Sequence, residues 1–279
     1  MFSNIVSFSA PACTGHLTID SYQVVCTSSG SNSATGSSSP ISITGLSGST
    51  SYTFKVRAHN SKGYGSYSSS TGTATTSTAP PSAIGAAYQG GYYAGSISTA
   101  GNGIADYYLV IGPKSTTQNN YRYQYFPTTS TPGATSRVDG AANSTALNDS
   151  GHPAAYFSKG LTVGGYSDWY LPAPNELEIV YYNLKPNVTA NYTGSGANPN
   201  AVPARSSNYT GGNPASNPAQ TSVAIFQLLG GQCMDQTNYW TSEEYNAGKA
   251  YRQAFDTGNQ SFIYKDYYVN LRAMRKVAV

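Results

Sequence analysis

The sequence predicts two domains, a first one built from β-strands and a larger second one that combines helices with strands. A chain of 279 residues is long enough for two domains with separate cores. Apolar and polar residues alternate with a period of two along 52–59, whereas 174–184 has the apolar spacing of an amphipathic helix. Between them, a Ser- and Thr-rich stretch at 66–81 ends in two prolines, which is typical of a linker. The predicted boundaries are 1–78 for the first domain, 79–83 for the linker and 84–279 for the second domain.

The first domain shows the pattern of half-buried strands. Between Tyr52 and His59 every second residue is apolar, and the same alternation recurs between Tyr22 and Cys26. Successive side chains of a strand point to opposite faces of the sheet, so each of these strands places one apolar face on a core.

Four segments of this domain follow one another in an order that resembles a fibronectin type III domain: VSFSAP, IDSYQVV, SPISITGL and STSYTFKVRAHNSKGYGSYS. The resemblance implies a β-sandwich, a tyrosine corner formed by Leu46 and Tyr52, and a core position for Phe8, where the family has tryptophan. The strand that opens such a domain is missing upstream of VSFSAP. We therefore expect the sheet edge along residues 3–9 to be paired with a neighbouring chain or with another part of this one.

The second domain contains one well-defined helix. Pro174 suits a first helical position, and Glu176 and Glu178 place negative charge at the positive end of the helix dipole. Four residues then form one apolar stripe, and Pro186 ends the segment. These residues are Leu177, Val180, Tyr181 and Leu184.

Other elements of the second domain are predicted from shorter patterns. Tyr107–Ile111 and Tyr267–Met274 have the composition of strands, and Ala141–Lys159 contains a helix. The order of strand, helices, long loop and strands indicates an α+β domain.

The motif series of the second domain is more specific. GYSDWYLP is followed by NEL, YWTSEE, AYRQAF and VNLRAMR. This series resembles the Lcl C-terminal domain family, which has a C-type-lectin-like fold and occurs in bacterial surface adhesins and phage tail fibres. The resemblance implies that the first and last strands of the domain pair, that Trp169 packs beneath the helix at 174–184, and that Trp240 belongs to the core with Leu177 and Tyr181.

The loop 186–220 is the predicted ligand-binding surface, because long excursions in such folds carry variable binding sites. Its Tyr192, Arg205, Asn208 and Tyr209 combine rigid rings with polar donors, which suits sugar recognition. A loop without any ligand remains an equal alternative. If the site is real, alanine at Tyr192, Arg205 and Tyr209 should abolish attachment and change the free energy of unfolding by less than about 1 kcal/mol.

No catalytic, metal or cofactor site is predicted. The three histidines are scattered, and the adjacent Glu243 and Glu244 should point to opposite faces of a strand, which disfavours a carboxylate pair for glycoside hydrolysis. Cys13, Cys26 and Cys233 are an odd number without ligand spacing and are expected to be free thiols. A net charge of +3 is too small to indicate nucleic-acid binding, and no apolar run reaches the ~20 residues of a membrane span.

The predicted function is that of a phage virion protein, a tail fibre or decoration protein of the adhesin type that presents its lectin-like domain to a host-surface glycan. Sparse charge and abundant tyrosine, hydroxyl and amide groups suit an extracellular protein, and no signal peptide is recognisable. Expected partners are other virion proteins or copies of this chain, as a homo-oligomer such as a trimer. The alternatives are a structural capsid, neck or tail decoration protein without a receptor, a secreted bacterial adhesin, and, least favoured, an enzyme acting on polysaccharide.

Overall fold

The computed structural model describes residues 2–11, 17–28, 32–47, 50–71, 73–75, 83–125, 129–212 and 216–279. The chain divides into two compact units, 1–79 together with Val279 and 80–278. The division falls within the predicted linker 79–83, of which Ala83 is among the described residues.

The first unit consists of short antiparallel strands in three sheets. A four-stranded sheet has the order β3-β2-β6-β7, β1 pairs with β4, and β5 pairs with β8. The strands are β1 (Phe2–Val6), β2 (Ile19–Cys26), β3 (Ser33–Gly36), β4 (Ile41–Leu46), β5 (Ser51–Tyr52), β6 (Phe54–Asn60), β7 (Gly63–Tyr64) and β8 (Ala74–Thr75).

One core lies between the β1-β4 sheet and the four-stranded sheet. Ile41 and Ile43 of β4 pack in the same cluster as Tyr22 and Val24 of β2, and all four are buried. Alternate residues of β2 are buried, as the period-two pattern predicts. This packing of inward faces from two sheets is a β-sandwich.

The two residues singled out for this core differ in burial. Tyr52 is buried and its hydroxyl accepts a hydrogen bond from the Ser47 N–H at 2.8 Å, which is the geometry of a tyrosine corner. Phe8 packs against the core cluster and against the Tyr22 ring, with 4.8 Å between centroids, yet remains half-exposed. The phenyl ring therefore covers only part of the core at this position.

The second unit combines helices with two five-stranded sheets. The helices are α1 (Lys114–Thr117), α2 (Gly140–Ala146), α3 (Pro153–Lys159) and α4 (Pro174–Leu184), with a 3₁₀ turn at Ala224–Phe226. The strands are β9 (Ala87–Tyr88), β10 (Gly91–Ile97), β11 (Tyr107–Ile111), β12 (Gln118–Tyr121), β13 (Ala201–Val202), β14 (Asn238–Asn246), β15 (Lys249–Ala254), β16 (Gln260–Tyr264), β17 (Val269–Arg272) and β18 (Met274–Ala278).

One sheet has the order β13-β10-β11-β18, with β9 added to β10, and the other has the order β12-β17-β14-β15-β16. All neighbours are antiparallel except β14 and β17. The strand predicted at 107–111 has those bounds and pairs with the last strand, Met274–Ala278. The resemblance implies pairing between the first and last strands of the domain, but β9 and β10 come first and neither pairs with β18.

The helix α4 begins at Pro174 and ends at Leu184, as predicted, and its stripe Leu177, Val180, Tyr181 and Leu184 is fully buried. Glu176 accepts the Ala173 N–H at the start of the helix, in keeping with the predicted negative charge there, and the side chains of Glu176 and Glu178 are both buried. The helix is thus covered on more sides than an amphipathic stripe indicates.

Two predicted elements are divided in the structure. The segment predicted as one strand at Tyr267–Met274 forms β17 and the start of β18, which belong to different sheets. Ala273 lies between them, donating its N–H to Thr117 and accepting from the Gly112 N–H, so the chain leaves one sheet there and enters the other. The helix predicted within 141–159 is two short helices, because Pro153 starts a new one.

Both tryptophans are fully buried in the second unit, as predicted. Trp169 does not pack beneath α4: it lies with Val110 on one face of β11, whereas Leu109 and Ile111 face the α4 cluster on the other. Trp169 and α4 therefore cover opposite faces of the same sheet. Trp240 packs in a third cluster, under β14-β15-β16.

Candidate functional site

A buried lysine, Lys185, holds the start of the predicted binding loop 186–220 in place. Lys185 follows α4 and is fully buried; its Nζ donates to the Thr189 carbonyl at 2.5 Å and to the Asn191 Oδ1 at 2.7 Å. Desolvation lowers the pKa of this ammonium group. These bonds connect the start of the loop to the end of the helix.

A buried carboxylate fixes the second half of the loop. Glu178 of α4 accepts hydrogen bonds from Asn198 at 2.6 Å and from the Tyr209 hydroxyl at 2.7 Å, and it forms an ion pair with Arg205. Burial raises the pKa of Glu178, and the Arg205 guanidinium opposes that rise. The guanidinium also stacks on the ring of Tyr182, 3.9 Å from its centroid.

These contacts change the interpretation of the four residues predicted to bind a ligand. The Tyr209 ring is buried against Tyr181, with 5.4 Å between centroids, so it offers no face to a sugar. Most of the Arg205 side chain is buried, and its guanidinium forms an ion pair with the Glu178 carboxylate. Both residues anchor the loop, a role that the sequence did not predict.

The other two predicted residues lie at the surface but are not brought together. Tyr192 and Asn208 are both exposed. Asn208 lines a cavity of about 230 Å³ together with Arg205 and Tyr209, so three of the four predicted residues meet there, whereas Tyr192 is not part of that lining. A cavity of this size is smaller than the 300 Å³ or more that is usual for small-molecule sites.

A more extensive surface lies on the other sheet of this unit. Strands β14, β15 and β16 turn one face to the core, where Trp240 and Ala250 are buried. Their other face carries a set of aromatic side chains, four of them exposed, which we call the aromatic face: Tyr245, Tyr251, Phe262, Tyr264 and Tyr267.

The strand register places these rings side by side. Tyr251 lies opposite Phe262, and Lys249 lies opposite Tyr264. The rings of Tyr245 and Phe262 are stacked, with centroids 3.8 Å apart and planes inclined by 10°. Tyr251 meets both of them edge to face, and Tyr264 contacts Tyr267 at 5.7 Å. The five rings thus form two neighbouring groups, one of three rings and one of two, and Lys249 contacts a ring of each.

Two cations accompany the aromatic face. The Nζ of Lys249 lies 5.1 Å from the centroid of Phe262 and 4.8 Å from that of Tyr264. The guanidinium of Arg137 lies 5.0 Å from the centroid of Tyr251 and pairs with Glu243 at 3.0 Å. Such contacts hold the charges against the rings and place hydrogen-bond donors beside an apolar surface.

Sequence reasoning overlooked the aromatic face because YWTSEE and AYRQAF were considered only as motifs of the second domain. A signal was present: in SFIYK, Phe262 and Tyr264 flank Ile263, and in KAYRQ, Lys249 and Tyr251 flank Ala250. With a period of two, this pattern places aromatic residues on one face and aliphatic residues on the other.

The two adjacent glutamates, Glu243 and Glu244, have separate partners. Glu244 pairs with the fully buried Lys265 at 2.6 Å, whereas Glu243 pairs with Arg137. They form no carboxylate pair. Within the described ranges, no group of three or more His, Cys, Asp or Glu side chains could hold a metal ion.

Both ring nitrogens of His152 have hydrogen-bonding partners. Its Nδ1 lies 2.9 Å from an Asp149 oxygen, and its Nε2 lies 2.9 Å from the Thr131 Oγ1. This is the order of acid, base and hydroxyl found in hydrolytic triads. However, the Thr131 N–H donates to the Glu244 carboxylate at 2.7 Å, which places negative charge where such chemistry needs donors for an oxyanion. We interpret these hydrogen bonds as structural, because they hold the segment around Thr131 in place.

Cys26 and Cys233 are free and buried, as expected, and Cys13 lies outside the described residues. No helix in the described part of the chain has the length and apolarity to cross a bilayer.

Comparison with known proteins identifies the first unit. Residues 3–74 match the model of the fibronectin type III domain. Among solved structures, the chain is similar to the twitchin kinase region from C. elegans, with 22% identity and a TM-score of 0.25 over 27% of this chain. The match spans 14% of that chain. No curated protein matches. The N-terminal fibronectin type III assignment is thereby confirmed for residues 3–74.

Proposed function

We propose that this protein is an attachment protein of the fibre or decoration type, carried on a phage virion, and that its second unit binds a host-surface glycan through the aromatic face. The observation that carries the proposal is the set of neighbouring rings, four of them exposed, with Lys249 held beside them. The C–H face of a pyranose stacks on an aromatic ring, while its hydroxyl groups need donors and acceptors at the rim.

The lectin-like assignment of the second unit belongs to the same proposal and depends on the motif order from GYSDWYLP to VNLRAMR. Composition supports an extracellular location, because only 10% of the residues are charged and 25 are tyrosines. In this proposal the fibronectin type III unit is a spacer, and the partners on the particle are other virion proteins or further copies of the chain.

The test is binding of the full chain to a glycan array, followed by calorimetric titration of the best glycan. The variant Tyr245→Ala/Tyr264→Ala/Tyr267→Ala should bind at least tenfold more weakly, since each ring contact contributes about 0.5–1.5 kcal/mol. The matched control is Tyr156→Ala/Tyr192→Ala, which removes two rings that are equally exposed elsewhere on the unit. Binding should survive in the control.

The outcomes separate the two candidate surfaces. Loss of binding in the control variant, with binding retained in the variant of the aromatic face, would contradict the proposal, and the single variant Tyr192→Ala would then show whether the site lies in the loop 186–220. Chelator should have no effect, because no part of either surface is rich in carboxylates. Loss of binding in chelator would contradict the proposed mode of recognition.

A second candidate function is a structural decoration protein without a receptor. The same observation favours it, because exposed aromatic residues on a sheet face also suit a protein interface. In that case the wild-type chain would bind no glycan, and the triple variant would change the oligomeric state measured by light scattering.

A further inference from the structure

The β-sandwich of the first unit is open along one side. Within the described part of the chain, the sheet of β1 and β4 contains no further strand, and β1 has a partner along one edge only. The facing sheet ends in the segment 65–71, which follows β6 through hydrogen bonds from Gly65 to Ala58 at 2.9 Å and from Ser68 to Val56 at 2.7 Å. The open side lies between these two edges.

A groove of about 570 Å³ occupies this side. One wall is the end of β1 with the residues that follow it, and the other wall is the segment 65–71. The floor consists of Phe8, Ile19, Tyr22, Val56 and Ala58. All of these except Tyr22 are half-exposed, although they pack against the core cluster of the unit. The groove is therefore a continuation of the core that no described side chain fills.

The chemistry of the groove restricts what can occupy it. Its floor is apolar, its rim carries hydroxyl groups of serine and threonine, and none of the described residues that line it is acidic. Arg57, the single charged residue among them, turns its guanidinium to the rings of Tyr64 and Tyr67, at 4.0 and 4.5 Å from their centroids. The adjoining β1 edge presents backbone N–H and C=O groups, which need partners of the same kind.

We propose that β1 and this groove bind an extended, uncharged segment of another polypeptide in which every second residue is apolar. The backbone of the segment pairs with β1, and its apolar side chains lie on Phe8, Tyr22 and Val56. The five residues of β1 span about 17 Å at ~3.4 Å per residue, so an added strand of five to seven residues is long enough. This mode of recognition takes affinity from the backbone and specificity from alternate side chains. It concerns a different unit from the proposed glycan site and does not depend on it.

The test uses the full chain and fluorescent nine-residue synthetic peptides that alternate Val, Leu or Ile with Ser or Thr. Two further versions of the best peptide are N-methylated at every second residue, one at the odd-numbered residues and the other at the even-numbered residues. One set of N–H groups points to β1 and the other to solvent, so one version should bind at least tenfold more weakly and the other like the parent. Hydrogen exchange at residues 3–6 should slow in the complex.

A variant pair gives an independent readout. A Cβ at Gly65 would meet only the Ala58 carbonyl oxygen, at 3.7 Å, so Gly65→Phe can place a ring in the groove. It should weaken peptide binding at least tenfold. Ser42→Phe places the same ring on the exposed, outer face of β4 and should leave binding unchanged. If Gly65→Phe does not fold, the methylated peptides and the hydrogen-exchange measurement on the wild-type chain still test the proposal.

Four results would overturn the proposal. The first is that no alternating peptide binds at about 1 mM. The second is equal binding by both methylated versions, or binding without slower exchange in β1, which would mean that the groove takes an apolar ligand without strand pairing. The third is slow exchange in β1 that depends on protein concentration, which would identify a second copy as the occupant. The fourth is slow exchange in the free chain at all concentrations, which would identify another segment of the same chain.

Discussion

Several charged side chains of this protein are buried in its interior. Glu176, Glu178, Lys185, Lys265 and Arg272 are all essentially buried, in a chain in which only 10% of the residues are charged. Each has hydrogen-bonding partners, which is the condition under which a buried charge is tolerated. Removing one partner of such a charge should therefore cost more than removing an exposed residue of the same type.

Arg205 provides the first test at this scale. Arg205→Ala leaves the Glu178 carboxylate buried with Asn198 and Tyr209 as its remaining partners, and we expect a loss of about 3 kcal/mol in the free energy of unfolding. Tyr192→Ala, in the same loop but exposed, should change it by less than about 0.5 kcal/mol. Urea denaturation of both variants makes the comparison. Equal stabilities would mean that Arg205 is a surface residue, as the sequence indicated.

Glu176 provides a second test, through pH. Its carboxylate accepts hydrogen bonds from the Ala173 N–H and the Tyr170 hydroxyl, both at 2.8 Å. Burial nevertheless raises its pKa to about 7, from 4.5 for an exposed glutamate. Between these two values the folded chain binds more protons than the unfolded chain, so this residue lowers stability as pH rises from 4.5 to 7.

We expect Glu176→Gln to remove that pH dependence. The amide oxygen can still accept from Ala173, whereas the group no longer ionises. Relative to the variant, the wild type should lose about 3 kcal/mol between pH 4.5 and pH 7. Urea denaturation at four pH values across this window gives the difference. A constant difference would show that Glu176 stays ionised in the folded state.

At the scale of elements, patterns that repeat over several residues predicted the structure well. The period of two in 22–26, the stripe of α4 and the strand at 107–111 occur as the sequence indicates. A local pattern gives the direction of each side chain, but it does not show which element lies opposite. The sequence therefore placed Trp169 in the core and assigned it to the wrong face of the sheet.

The same limit of local patterns explains why the sequence did not predict the contacts of the candidate site. Loop 186–220 has the composition of a binding loop, yet Arg205 and Tyr209 contact Glu178, which precedes them by more than 25 residues. Composition cannot reveal such partners. Conversely, the aromatic face depends on the register between β15 and β16, which brings Tyr251 opposite Phe262. Its residues are recognisable as strand residues in the sequence, but their assembly into a surface is not.

The two tryptophans test the arrangement of the sheets. Trp169 and Trp240 lie in different clusters, one against β11 and one beneath β14-β15-β16. Since neither cluster can replace a lost indole ring, Trp169→Ala and Trp240→Ala should each destabilise the second unit by about 3–5 kcal/mol. Tyr156→Ala, on the exposed side of α3, is the control. A tryptophan variant that melts like the wild type would show that its cluster does not contribute to the core.

At the scale of the whole molecule, each unit has a core of its own. The cluster around Val24 and Ile43 contains residues of the first unit alone, and the clusters around Leu177, Trp240 and Trp169 contain residues of the second alone. We therefore expect two unfolding transitions in calorimetry. A substitution in one unit should then change the stability or the binding of that unit and leave the other unit unchanged.

Tyr52→Phe tests this independence. Loss of the hydroxyl leaves the Ser47 N–H without this acceptor, which should destabilise the first unit by about 1 kcal/mol. Only one transition should shift to lower temperature, and glycan binding should remain at the wild-type level because the aromatic face lies in the other unit. Arg205→Ala should shift only the other transition. If either substitution moved both transitions together, the two units would unfold as one cooperative structure, and the effect of the first unit on glycan binding would have to be measured directly.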